Sequence, residues 1–206
     1  MLTDFISPPF CINCHSFGNY ICSQCLKSFK FYKDAIPLQI QPSWLDEMYS
    51  AVHFSSPATE LIHQLKFSSY WSLAETIAEI MGHFLPMKHF PDVLTFVPLH
   101  SDREWMRGFN QAERISTVLA NQWKIPQRSV LFRKKSTTPQ AQLNRTQRLT
   151  HLQDAFIYKS GHNIENKVIG LVDDVTTTGT TLNECAKILK QKGAKKVIGL
   201  VFAHGN

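Results

Sequence analysis

The sequence predicts an α/β fold, a mainly parallel sheet with flanking helices, preceded by a small N-terminal cysteine knuckle. Strand-like apolar runs alternate with segments whose apolar residues fall on one helical face, and this alternation predicts the sheet. Two closely spaced cysteine pairs near the N-terminus predict the knuckle. We expect the knuckle over residues 1–33, a linker over 34–45 and the α/β domain over 46–206.

The linker carries Pro37 and Pro42 and shows little periodicity, which is typical of irregular chain. After it, strands and helices are expected to alternate toward the C-terminus. The predicted elements, in chain order, are helices over 57–67 and 72–85, a strand over 93–99, a helix over 110–123, strands over 130–133 and 168–172, a helix over 180–191 and a strand over 196–203.

Composition narrows the class of protein. A length of 206 residues with 43% hydrophobic content allows one medium domain and a small appendage. No apolar run approaches the roughly 20 residues needed to span a bilayer, which excludes membrane insertion. Residues 1–10 have neither the basic segment nor the apolar stretch of a secretory signal, so we expect a cytoplasmic protein.

A hydroxyl-rich loop joins the apolar run at 168–172 to the next predicted helix. The N–H groups and positive dipole end of a helix N-terminus favour a phosphate, and a glycine lets the backbone approach it. An ordinary strand, turn and helix is the alternative, but adjacent carboxylates at a buried edge would be costly without a ligand. We predict that Asp173 and Asp174 bind sugar hydroxyls or magnesium. The predicted phosphate-binding residues are Thr176, Thr177, Thr178, Gly179, Thr180 and Thr181.

The run 168–181 resembles the phosphoribosyl pyrophosphate (PRPP) motif of type I phosphoribosyltransferases. In that motif an apolar strand leads to paired aspartates and then to Thr-Thr-Gly-x-Thr. Thr176 stands at a variable position of the pattern, and Thr180 at one often held by a small residue. The resemblance implies a type I phosphoribosyltransferase-like fold that binds PRPP with magnesium.

The cysteine pairs Cys11-x-x-Cys14 and Cys22-x-x-Cys25 have the spacing of a closed, structural zinc site. Disulfides are one alternative, and they are disfavoured in a reducing cytoplasm. A second alternative is haem attachment, because Cys11 to His15 forms a C-x-x-C-H string, but haem attachment needs export. Cys185 has apolar neighbours on its predicted helix and is expected to be a buried core thiol.

Further segments, spread in a fixed order along nearly the whole chain, match short sequence strings of one known family. They are Leu65-Lys66-Phe67, Pro98-Leu99-His100, Arg107-Gly108-Phe109-Asn110-Gln111-Ala112, Pro139-Gln140-Ala141-Gln142-Leu143 and Ala155-Phe156. Together with the cysteines and the PRPP motif, this order is similar to the ComF family. The resemblance implies a four-cysteine zinc finger joined to a phosphoribosyltransferase domain, and a role in natural transformation, the uptake of external DNA. It also implies protein partners in DNA handling, such as a DNA-uptake helicase or a recombination protein.

Basic residues around the predicted crevice are candidates for binding the anionic ligand. Arg107 can bind pyrophosphate bidentately with help from Arg103, the alternative being that both are solvated surface cations. Lys66 is a further candidate, although a lysine there also suits the end of a helix. Residues 134–148 are polar and aperiodic, as expected of a lid. Its expected ligand contacts are Gln140 and Arg148.

Positive charge concentrates in the middle of the chain. The chain has 22 Lys and Arg against 16 Asp and Glu, and ten of the basic residues fall within 103–148 with only Glu104 and Glu113 opposing them. Such a field attracts a polyanion, and exposed aromatics can stack on unpaired bases. We therefore expect single-stranded DNA to bind, unless these cations serve only PRPP or solubility. The expected DNA contacts surround Phe132 and are Arg128, Arg133, Lys134 and Lys135.

Three functions fit the sequence. The first is a PRPP-binding protein of DNA uptake that holds single-stranded DNA. The second is an active phosphoribosyltransferase of nucleotide metabolism, in which Asp173 and Asp174 anchor the sugar while Arg107 and magnesium stabilise the leaving pyrophosphate. The third is a zinc-ribbon regulator of duplex DNA, which is disfavoured because the basic residues do not fall on a recognisable recognition helix.

Overall fold

The computed structural model describes residues 9–67, 71–134, 155–159 and 161–205. The helices in these ranges are α1 (Ser23–Leu26), α2 (Ala58–Phe67), α3 (Leu73–Phe84), α4 (Ser101–Arg107), α5 (Gln111–Trp123) and α6 (Thr180–Gln191). The strands are β1 (Glu47–His53), β2 (Val93–Phe96), β3 (Leu131–Arg133), β4 (Phe156–Tyr158), β5 (Val168–Thr176) and β6 (Lys196–His204).

The main sheet has four strands in the order β1-β6-β5-β2, and every neighbouring pair is parallel. The predicted α/β class with a mainly parallel sheet is therefore confirmed. In a parallel sheet the carboxyl ends of all strands meet at one edge, where ligands of such folds bind. The register places Asp173 beside Val201 and Thr176 beside His204, so the ends of β5 and β6 form one continuous edge.

Helices cover both faces of this sheet. On one face α3 and α5 pack against each other and against the strands, and their buried side chains include Leu73, Ile77, Ile115 and Leu119. On the other face α6 buries Leu182, Cys185 and Leu189. Fully burying each such aliphatic side chain stabilises the fold by about 1.5–3 kcal/mol. The expectation that Cys185 is a core thiol is confirmed, because its exposed fraction is 0%.

Strand β1 is absent from the predicted elements. A polar residue at its centre, Ser50, interrupts the apolar pattern, although this serine is fully buried. Its hydroxyl donates to the carbonyl oxygens of Val52 and Phe202, at 2.9 Å and 3.2 Å. These hydrogen bonds satisfy a buried polar group and allow serine to occupy a core strand.

Two predictions about the middle of the chain are wrong. The strand expected over 130–133 does not join the main sheet; it forms β3, which pairs antiparallel with β4 in a separate two-stranded sheet. The segment between the predicted strand over 93–99 and the predicted helix over 110–123, for which no helix was expected, contains α4. His100 caps its start by accepting from the N–H of Asp102, and Gly108 ends it at a φ of +83°.

The chain that follows the cysteine pairs packs directly against the sheet. Phe29 is 6% exposed and contacts the ring of Phe202 edge-on, with centroids 6.2 Å apart. Further along, the N–H groups of Tyr32 and Ile36 donate to carbonyl oxygens of β1 at 3.1 Å and 2.8 Å. This segment therefore runs along the outer edge of β1.

Candidate functional site

Two adjacent carboxylates lie near the carboxyl end of β5, inside the strand. Although side chains alternate along a strand, Asp173 and Asp174 lie so near its carboxyl end that both line one cavity. Asp174 is 7% exposed, and its Oδ2 lies 2.8 Å from Nζ of Lys66 in the last turn of α2. The structure thus brings together an acidic and a basic residue that were both predicted to bind the ligand.

The two carboxyl groups differ in their environment. Burial raises the pKa of Asp173 well above the ordinary range of a carboxyl, and the charge of Asp174 raises it further, while Lys66 opposes both effects. Asp173 also accepts a hydrogen bond from the N–H of Asp174 at 2.9 Å. Before a ligand binds, Asp173 therefore holds a proton more readily than an ordinary aspartate.

Hydrogen bonds within the threonine-rich loop fix its conformation. Thr176 is buried, and its Oγ1 accepts from the N–H of Gly179 at 3.0 Å. The hydroxyls of Thr178 and Thr180 hydrogen-bond to each other at 2.7 Å. Gly179 precedes α6 at a φ of +79°, where a residue with a Cβ would be strained. Gly179 offers no side-chain cap, and the first N–H of α6, that of Thr180, donates to Oγ1 of Thr178 at 3.4 Å. The positive dipole end of the helix favours an anion at this loop.

A buried histidine supports this loop from behind. One ring nitrogen of His204, Nε2, lies 2.9 Å from the carbonyl oxygen of Thr177, and the other, Nδ1, lies 3.1 Å from Oη of Tyr32. Because a carbonyl oxygen only accepts, Nε2 carries the proton and Nδ1 accepts from the tyrosine. Burial lowers the pKa of His204, which keeps the ring neutral.

Basic side chains line a cavity of about 210 Å³ together with the two carboxylates. Arg107 donates from Nη1 to Oε1 of Gln111 at 2.7 Å. Burial lowers the pKa of Arg107; Asp174 opposes this effect and the like charge of Arg103 adds to it. The acidic residues that line the cavity are Asp173 and Asp174, and the basic residues are Lys66, Arg103, Arg107 and Arg133. The basic residues therefore outnumber the acidic ones by two.

The structure places six of the thirteen predicted ligand-binding residues on the lining of this cavity. The predicted residues that line the cavity are Lys66, Arg103, Arg107, Asp173, Asp174 and Thr181. Thr178 and Gly179 line a small neighbouring groove beside Met48. The remaining loop residues, Thr176, Thr177 and Thr180, build the loop through the hydrogen bonds above. Gln140, Arg148 and Lys135 lie outside the described residues.

The structure corrects the prediction for Arg133. We expected it on a DNA-binding surface, but its side chain is 5% exposed and lines the same cavity as the carboxylates. Within β3, buried and exposed residues alternate, so Phe132 points outward at 49% exposed. The alternation of apolar and polar residues that identifies an inner face failed here because the inner residue is charged. Gln111, another cavity residue, carried no sequence signal beyond the ComF-like string.

Four cysteines form a second cluster. The sulfur atoms of Cys11, Cys14, Cys22 and Cys25 all lie within 4.8 Å of one another. The N–H of Cys25 donates to Sγ of Cys22, and this hydrogen bond is the main cause that lowers the pKa of Cys22 to about 6. Clustered sulfurs with backbone N–H donors suit a thiolate-bound metal ion. The cluster can therefore hold a metal such as zinc.

The C-terminal half of the chain matches the model of a known protein family. Residues 106–206 match the family model described as "Phosphoribosyl transferase domain". This range includes the acidic pair, the threonine-rich loop, Arg107 and Arg133. Within the described ranges, every helix is too short or too polar to cross a membrane.

Relatives extend the similarity to nearly the whole chain. "Competence protein F" of Haemophilus influenzae is 31% identical over 202 residues, which cover 92% of this chain and 82% of that protein. "DNA utilization protein YhgH" of Escherichia coli is 29% identical, with 86% of this chain and 87% of the relative covered. "Competence protein ComFC" of Streptococcus pneumoniae is 28% identical, with 91% and 84% covered.

Proposed function

Because the chain belongs to the competence protein F family, we propose that it binds PRPP and single-stranded DNA during DNA uptake in the cytoplasm. The observation that carries the PRPP proposal is the composition of the cavity, four basic residues around an acidic pair. PRPP combines phosphate groups with a sugar diol, and the cavity offers cations for the former and carboxylates for the latter.

We assign the parts of PRPP to separate groups. The loop at 176–181 and the start of α6 would hold the 5′-phosphate through backbone N–H groups. Asp173 and Asp174 would accept hydrogen bonds from the ribose hydroxyls. The diphosphate would lie against Arg103 and Arg107. Magnesium prefers oxygen ligands, which the carboxylates supply, and would neutralise part of the diphosphate charge.

A zinc ion in the four-cysteine cluster completes the proposal. Zinc binds four thiolates in a closed tetrahedral site and can order a short segment without a core of its own. We retain the division into a finger over 1–33, a linker over 34–45 and a phosphoribosyltransferase-like domain over 46–206. The finger would stabilise the chain around Tyr32, which contacts the loop through His204.

Single-stranded DNA is proposed to bind outside the cavity. Lys134 and Arg128 are exposed, and Phe132 lies between them in sequence with its ring half exposed. Cations track a phosphate backbone, and an aromatic ring stacks on unpaired bases. Partners such as a DNA-uptake helicase or a recombination protein belong to the same proposed role.

The PRPP proposal is tested by calorimetric titration of PRPP with magnesium into the zinc-loaded protein. One PRPP should bind per chain. Asp173→Ala combined with Asp174→Ala should abolish this binding while the full zinc content and a single cooperative unfolding transition remain, at a lower stability because Asp174 also pairs with Lys66. PRPP affinity that survives the double substitution would contradict the assignment.

A further inference from the structure

The small sheet of β3 and β4 turns one of its faces toward solvent. Phe132 and Ile157 are register partners on this outer face, and they are 49% and 43% exposed. Arg133 and Phe156, the next register pair, point inward and are 5% and 3% exposed. The outer face therefore presents an aromatic ring beside an aliphatic side chain, a surface on which a flat apolar group can stack.

A lysine stands at each end of this outer face. The N–H of Lys134 donates to the carbonyl oxygen of the residue before β4, and the N–H of Lys159 donates to that of the residue before β3, both at 2.8 Å. Because side chains alternate along a strand, Lys134 shares the face of Phe132, and Lys159 shares the face of Ile157. Both lysines are exposed. The outer face thus has an apolar centre and a cation at each end.

Further lysines continue the cationic surface beyond β4. Nζ of Lys192, the residue after α6, lies 5.9 Å from the ring centroid of Tyr158 in β4. The N–H of Lys195 donates to the carbonyl oxygen of Lys167 at 2.9 Å, which holds together the segments that precede β5 and β6. We name these exposed residues the basic strip, and they are Lys159, Lys167, Lys192 and Lys195.

The lysines of the basic strip differ from two neighbours that have structural partners. Lys190 forms an ion pair with Asp46 at 2.8 Å, and Lys196 forms one with Glu47 at 2.6 Å. These pairs attach α6 and β6 to the start of β1. Within the described ranges, no carboxylate forms an ion pair with a lysine of the basic strip. The strip therefore keeps its charge available for an anionic partner.

Two exposed acids lie close to the basic strip. Glu165 packs against Gly193, and Asp92 stands beside the start of β5. Oδ2 of Asp92 already accepts from the N–H of Val168 at 2.8 Å. The four lysines outnumber these two acids, so the surface as a whole is cationic and suits a polyanion.

We propose that single-stranded DNA crosses the outer face of the β3–β4 sheet and continues along the basic strip. Bases stack on Phe132 and lie against Ile157, while the lysines contact phosphates. The strands β5 and β6 begin directly after Lys167 and Lys195, so the strip leads to the amino edge of the main sheet, whereas the ligand cavity lies at the carboxyl edge. That the polyanion is DNA rests on the proposed function; the path rests on exposure and charge.

The test measures binding of a fluorescent oligothymidine of about 15 nucleotides to the full, zinc-loaded chain by anisotropy at several salt concentrations. Lys159→Gln combined with Lys192→Gln and Lys195→Gln should reduce the slope of log affinity against log salt by about 2, at roughly 0.7 per phosphate contact. At about 0.1 M salt this change in slope corresponds to an affinity about 100-fold lower.

A matched control removes three exposed charges outside the basic strip. Lys30→Gln, Lys33→Gln and Lys88→Gln together lower the net charge by the same amount as the strip variant. This control should change the salt slope by less than about 0.5, because the phosphates do not contact these lysines. An equal fall in both variants would assign the effect to net charge and overturn the strip.

Phe132→Leu tests the apolar centre of the outer face. It keeps an apolar side chain but removes the ring, so the affinity for oligothymidine should fall about 5- to 100-fold with an unchanged salt slope. The affinity for duplex DNA of the same length should not change, because its bases already stack within the duplex. An equal loss for both DNA forms would overturn the assignment to single strands.

The outcomes distinguish the basic strip from the proposed function. A slope that falls in Arg128→Ala with Lys134→Ala but not in the strip variant would overturn the strip and leave single-stranded DNA binding standing. Absence of oligothymidine binding by the unsubstituted protein would overturn both. PRPP affinity should be equal in the strip variant and the unsubstituted protein, and a loss of it would overturn the separation of the strip from the cavity.

Discussion

The ion pair between Lys66 and Asp174 gives a quantitative prediction about the ligand-free protein. Nζ and Oδ2 lie 2.8 Å apart, and the side chains are 25% and 10% exposed. Exposed pairs contribute about 0–1 kcal/mol, whereas removing one partner of a buried pair costs about 3–5 kcal/mol. The two exposures place this pair between those limits. Lys66→Met leaves a nearly buried carboxylate unpaired, so we expect it to lower the free energy of unfolding by about 2 kcal/mol.

Removing the acidic partner instead of the basic one should lower the free energy of unfolding by less. Asp174→Asn leaves Lys66 unpaired, but this lysine is exposed enough to keep water around its ammonium group, so we expect a loss of about 1 kcal/mol. In a double-mutant cycle the two residues should show a coupling energy of about 1 kcal/mol. The assay is urea unfolding of the zinc-loaded protein without ligand. A coupling energy below about 0.3 kcal/mol would refute the ion-pair interpretation, because the effects of substitutions at independent sites add up within that limit.

Three further predictions concern the histidine behind the loop, the metal cluster and the DNA surface. Burial lowers the pKa of His204, so the unfolded chain takes up a proton at a higher pH than the folded chain, and stability is lost as pH falls below the ordinary histidine value of 6.5. His204→Gln should therefore show a smaller fall in Tm between pH 7.5 and pH 5.5 than the unsubstituted protein; an equal fall would contradict this. Cys14→Ser should abolish binding of one zinc per chain in a metal-release assay and lower Tm; full zinc content would remove Cys14 from the site. Arg128→Ala with Lys134→Ala should reduce the slope of log affinity for single-stranded DNA against log salt by about 1.4, at roughly 0.7 per phosphate contact; an unchanged slope would exclude this surface.

The strongest local patterns predicted the fold and the core of the site. The strand ending in Asp173 and Asp174, the threonine-rich loop and α6 were readable because one short segment carries the apolar run, the carboxylates and the glycine. The four-cysteine cluster was readable for the same reason, since spacing alone brings its sulfurs together.

Contacts between segments far apart in the chain could not be predicted from the sequence. Strand β1 was missed because Ser50 interrupts its apolar pattern. The hydroxyl of this serine is buried because it donates to the carbonyl of Phe202, 152 positions away. Arg133 looked like a surface cation because no local pattern shows that β4 and its Phe156 hold it inside. The link from Tyr32 to Thr177 through His204 spans nearly the whole chain. Such features depend on tertiary packing, which propensity and periodicity do not encode.

We propose that the cavity binds PRPP in a protein that also binds single-stranded DNA. The most direct measurement is a calorimetric titration of PRPP with magnesium into the zinc-loaded protein, performed alone and with a single-stranded oligonucleotide already bound. We predict saturable binding of one PRPP per chain in both titrations, since the proposed DNA surface around Phe132 lies outside the cavity. Absence of PRPP binding in the DNA-free titration would contradict the account.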